Sequence, residues 1–76
     1  MREILVGKTY KHFKGHIYKV IDIVNDAENY PGKMVIYENI YDSNDEWARP
    51  YDMFNSKVDK EKYPDIEQEY RFEEVK

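Results

Sequence analysis

Cysteine is absent from the 76 residues. Its absence excludes disulfides and any thiolate zinc site, and it fits a reducing cytoplasm. Domains this small often rely on such a staple, because a single core of this size supplies only about 3–5 kcal/mol. One domain over residues 1–76 must then be held by burial of apolar groups or by self-association as a homodimer. No run approaches the roughly 20 apolar residues that cross a bilayer. Ile4-Leu5-Val6 is too short for the core of a signal peptide. A cytoplasmic protein without a membrane partner is therefore expected. The three glycines stand singly, so no glycine-rich loop is available to cradle a phosphate. Ser43 and Ser56 are the only serines, and neither sits in a nucleophile elbow. No catalytic residue and no cofactor is expected.

What the chain does hold is aromatic: eight Tyr, three Phe and one Trp. Each buried ring removes on the order of 150–250 Å² from water, so these rings supply the stability that a disulfide would otherwise add. The net charge is −4, but it is unevenly spread. Residues 1–24 hold Arg2, Lys8, Lys11, Lys14 and Lys19 against Glu3 and Asp22, a balance of +3, and the rest carries −7. Such asymmetry can mark an electrostatic footprint on one side of a domain.

The patterning is that of short strands. Lys8 to Phe13 alternates and ends at the turn signal Lys14-Gly15. Ile17 to Val24 is rich in β-branched residues, with Ile17, Ile21 and Ile23 on one face and Tyr18, Val20 and Val24 on the other; apolar groups on both faces predict a central strand covered on each side. Asn25 to Lys33 is a loop, and Met34 to Tyr41 a third strand with Val35, Tyr37 and Tyr41 on one face. Asp42-Ser43-Asn44-Asp45 has the composition of a hairpin turn leading into Glu46-Trp47-Ala48-Arg49, which stops or becomes an edge at Pro50. Tyr51 to Asn55 predicts one helical turn, with Phe54 and Val58 packed on the sheet. Asp59 to Asp65 is a charged loop, and Tyr70 to Val75 a last strand; Ile66 to Glu69 fits either a short helix or more strand. The expected fold is mainly β, a small SH3-like antiparallel barrel with one short helical turn before the last strand.

His12 and His16 are four apart, a metal-binding spacing on a helix, but Gly15 and the β pattern oppose a helix there and no further ligand lies at a matching spacing, so no metal site is expected. A more telling group is Tyr37, Tyr41, Trp47 and Arg49. Trp47 and Arg49 are two apart on one strand, so they share a face, and the preceding strand brings Tyr37 and Tyr41 close. An indole, phenols and a guanidinium can stack a ring or hold a ligand. His12 and Lys14, at the first turn, extend the patch with basic character. Trp47 could equally be a core anchor.

Lys11-His12-Phe13-Lys14-Gly15, then Tyr18 and Val20, Val35-Ile36-Tyr37, Ile40-Tyr41, Trp47-Ala48-Arg49-Pro50 and Met53-Phe54 follow one another in an order that resembles the bacterial family called domain of unknown function 1653. The resemblance runs over most of the chain, and Arg71-Phe72 corresponds to an Arg-Phe pair of that family. The chain departs from the family pattern at Asn25-Asp26-Ala27-Glu28-Asn29, where a His-Ser-Glu-Thr-like segment is usual, and at Asp42, where glycine is usual. The resemblance implies a small single-domain protein and supplies no activity. The functional expectation is a noncatalytic binding module that holds a peptide or protein segment on the face of Tyr37, Tyr41, Trp47 and Arg49, with His12 and Lys14 beside it. The alternative is single-stranded nucleic acid stacked on the same rings next to the basic turn, against which the overall acidity counts.

Overall fold

The computed structural model describes residues 2–76. Five antiparallel strands, β1 (Thr9–His12), β2 (Ile17–Asn25), β3 (Lys33–Asn39), β4 (Asp42–Pro50) and β5 (Phe72–Glu74), form one sheet in the order β4-β3-β2-β1-β5. One helical turn, α1 (Tyr51–Phe54), follows β4. The fold is thus mainly β, with the short helix ahead of the last strand as expected. As paired, the sheet is open, with β4 and β5 as its edges. Gly15 turns β1 into β2 with φ of 109°, a conformation that a residue with a Cβ rarely adopts. Among the described residues no helix is long and apolar enough to cross a membrane.

The core is aromatic, as the composition predicts. Tyr10, Tyr37, Phe54 and Phe72 are buried with Ile4, Val20 and Val35. Phe54 stacks on Phe72 at 4.0 Å between centroids, and Tyr37 meets both edge-on. Phe54 thus sits in the core where the sequence places it, and Val58 is buried as well. The N-terminal segment closes one side of this layer. Ile4 is buried, the Tyr51 and Tyr10 hydroxyls accept from the N–H groups of Ile4 and Leu5, and Arg2 donates to the Asn55 amide oxygen and the Phe72 carbonyl.

Three local expectations need correction. Strand β2 is central in the order, but it is covered on one side only: its register slips between Val20 and Asp22, so Ile21 becomes an extra residue opposite no partner. The slip exchanges the faces, because pointing alternates with period two. Tyr18 and Val20 face the core before the bulge, Ile23 after it, and Val24 faces out. Secondly, the β3–β4 turn is Ile40-Tyr41, not Asp42 to Asp45. The Asn39 side-chain oxygen accepts from the Tyr41 N–H and fixes the turn there. Asn39 then pairs with Asp42 while Glu38 pairs with Glu46, so Ser43, Asn44 and Asp45 swell out of β4 as an irregularity. Lastly, Ile66 to Glu69 is neither helix nor strand.

Candidate functional site

The register of β3 against β4 builds one wall of a cleft. Tyr37 lies opposite Trp47, and Val35 opposite Arg49. Directly opposed residues share a face, so Trp47 and Arg49 lie on the core side of the sheet at its edge, where the core runs out. Tyr37 is therefore buried whereas Trp47 stays 53% exposed. The Arg49 Nε donates to the Tyr37 hydroxyl at 3.1 Å, and its guanidinium carbon lies 5.7 Å from the Phe72 ring centroid. The Trp47 indole N–H donates to Asp45 Oδ1 at 2.7 Å, and Asn39 donates to the other Asp45 oxygen. The swelling of β4 thus sets the carboxylate that orients the indole.

The β1–β2 turn supplies the facing wall. His12 packs on Phe72 at 4.9 Å and on Phe13 at 4.5 Å, and its Nδ1 accepts from the Lys14 N–H at 3.1 Å. That bond leaves the proton of the neutral ring on Nε2. Partial burial pushes the His12 pKa down to about 4, and the positive charges of Arg49, Lys14, His16 and Arg71 push in the same direction. The imidazole is neutral at pH 7, in a field made positive by its neighbours. Burial also raises the pKa of Tyr18, helped by the Asp45 carboxylate, so its phenol keeps its proton.

Together these side chains enclose a cleft of about 230 Å³ lined by His12, Lys14, His16, Tyr18, Tyr37, Trp47, Arg49 and Phe72. Of the six residues singled out from sequence, Tyr37, Trp47, Arg49, His12 and Lys14 meet here. Tyr41 does not line it. Strand β3 ends at Asn39, and Tyr41 stands on the turn, 84% exposed. A second concavity of about 330 Å³ adjoins the first and shares His12, Lys14 and Arg49 with it. Lys62, Tyr63 and Arg71 are among the residues that complete it. Sequence reading missed Lys62 and Arg71, since the pairing of β5 with β1 carries Arg71 to the first turn and the packing of Tyr63 on Phe13 brings the loop that holds Lys62. His16 and Tyr18 had a signal in their alternation with Val20, and Phe72 in its place on the last strand, but nothing local showed that they border a cavity.

The family model described as Protein of unknown function (DUF1653) matches residues 8–74. The chain belongs to this family. No curated protein and no solved structure matches it. The DUF1653 region runs from just before β1 to the end of β5, so every residue lining either concavity falls within it.

Proposed function

We propose that this DUF1653 chain is a noncatalytic binding module with an SH3-like barrel, whose cleft takes single-stranded nucleic acid. The barrel reading is supported by β1, which pairs with both β2 and β5, and by the bulge in β2, a device that bends a sheet. One observation carries the choice of ligand. Lys62 and Arg71 come beside Lys14 and Arg49 around the two concavities, and none of the four forms an ion pair with a carboxylate. Lys57 with Glu69 is the one ion pair among the described residues. The chain is acidic overall, yet its cleft is basic, and a half-exposed indole stands at the rim. Cations that track a backbone beside a ring that stacks bases are the parts of a single-strand site. A peptide or protein segment is the second reading, carried by β4: it is an edge strand bearing Trp47 and Arg49, to which an extended segment could pair.

Titrating the chain with hexauridylate, followed by amide and indole NMR signals, tests this. Shifts are expected at Trp47 and from Lys11 to Gly15. Affinity should fall roughly 2.5-fold between about 50 and 200 mM salt for each phosphate neutralised, because single-strand binding loses about 0.7 logarithmic units per phosphate and per decade of salt. No response at the lower salt would overturn the reading. Shifts caused instead by extended peptides, and insensitive to salt, would establish the second one.

A further inference from the structure

The second concavity brings together four cations from four parts of the chain. Lys14 comes from the β1–β2 turn, Arg49 from β4, Lys62 from the long loop and Arg71 from the residue before β5. Their backbones are held there. The Asp59 carboxylate accepts from the N–H groups of Glu61 and Lys62 and shapes the loop that presents Lys62. The Arg71 N–H donates to the Ser56 carbonyl, while its own carbonyl accepts from Phe13. Asp59 is the only carboxylate in the lining. The walls between the cations are aromatic. The Lys14 and Lys62 ammonium groups lie 5.7 and 5.5 Å from the centroid of the Tyr63 ring, which leans on Phe13 at 5.0 Å. Gathering like charges beside apolar walls raises their mutual repulsion, and the pairing that would offset it is missing within the described chain. His12 adds a neutral ring whose Nε2 carries its proton, a donor that does not increase the charge.

We infer that this concavity is a phosphate subsite, in which Lys14, Arg49, Lys62 and Arg71 hold the phosphate of a nucleotide whose base lies in the adjoining slot against Trp47. A phosphate suits the set better than a carboxylate does. It can carry up to two charges and offers several acceptor oxygens in different directions, including pairs that match the fork of an arginine. The shared border of the two concavities at His12, Lys14 and Arg49 sets a ring and a phosphate side by side, as in a nucleotide. The placement of the base rests on the single-strand reading above; the phosphate subsite does not.

The test uses the full chain and three probes: inorganic phosphate, uridine 5′-monophosphate and hexauridylate. Lys62→Gln and Arg71→Gln are compared with Lys8→Gln, which removes the same charge at an exposed position outside both concavities. Lys62→Gln and Arg71→Gln should each weaken hexauridylate about tenfold and flatten its logarithmic salt slope, by less than the roughly 0.7 of a whole phosphate because the remaining three cations still hold it. Lys8→Gln should leave both unchanged. All three probes should shift the Lys62 and Arg71 side-chain NMR signals. Hexauridylate binding tighter than the monophosphate would identify a strand as the source of the nucleotide, and equal binding a free nucleotide. Hexauridylate binding that weakens equally in all three variants would overturn the subsite while the single-strand reading stands. Phosphate shifting Lys62 and Arg71 with no response to hexauridylate would keep the subsite and overturn that reading.

Discussion

His12 shows how one residue couples fold and site. It is paired opposite Phe72 in the β1–β5 ladder, and it borders both concavities. Burial first, then Arg49, Lys14, His16 and Arg71, depress its pKa to about 4 in the folded chain, against about 6.5 when unfolded. The unfolded state therefore binds the extra proton first. The stabilisation due to a neutral His12 is complete above about pH 6.5 and is lost as pH falls from there towards 4. Thermal unfolding at pH 7 and pH 4.5 should show a larger drop in Tm for the native chain than for His12→Gln. Equal drops would mean that His12 titrates normally. The ring is faced by the four cations and His16, with Asp59 the one opposing charge among the residues lining the cavities. An anion bound there should raise the midpoint of its NMR titration.

At the scale of elements, the swelling in β4 is the feature that most affects the site. Asp45 is held by Asn39 on one oxygen and holds the indole of Trp47 with the other. Asp45→Ala should leave the unfolding temperature nearly unchanged, since the bond to Trp47 is exposed and the bond to Asn39, at 3.3 Å, is long and only partly buried. It should speed exchange of the Trp47 indole proton and weaken any ligand that stacks on that ring; an unchanged exchange rate would show that the edge of β4 fixes the indole without Asp45. The hairpin at the first turn and the helical turn after Pro50 were legible in residue patterns, whereas Pro50 left open whether β4 stops there or lies at an edge. Gly15, Pro50 and the alternation of Val35 with Tyr37 are local signals. The bulge at Ile21 was not legible, because an extra residue inside a run of Val, Ile and Asp changes no composition and only shifts the phase of the alternation. The position of the β3–β4 turn was misread for a related reason. Asp42 to Asp45 has turn chemistry, but Asn39 caps the chain first and leaves those residues in an irregular strand. Five of the six candidate residues line the cleft: strand spacing places Trp47 and Arg49 on one face, the register sets Tyr37 opposite Trp47, and His12 and Lys14 stand at the first turn. Lys62 and Arg71 were not found, because their position depends on long-range pairing.

Across the whole molecule, core and cleft share material. Tyr37 and Phe72 are buried against Phe54 and also line the cleft, whereas Phe54 belongs to the core alone. The layer is one residue thick at this point, so the floor of the cleft is the outer surface of the core. Truncating Phe54 to Ala removes the stacked partner of Phe72 and should cost about 3–5 kcal/mol. A core of this size supplies only about 3–5 kcal/mol, so this variant should be largely unfolded before a thermal melt begins; native-like unfolding would show that Phe54 does not anchor the core. The gentler pair Phe54→Leu and Phe72→Leu separates the two roles. Both should lower the unfolding temperature, because each loses a ring from the 4.0 Å stack. Below their transitions, Phe54→Leu should bind as the native chain does. Phe72→Leu should bind more weakly as well, because its ring also meets His12 and lies beside the Arg49 guanidinium. Equal binding by the two folded variants would mean that the cleft is shaped by its rim, with no contribution from the aromatic layer beneath it.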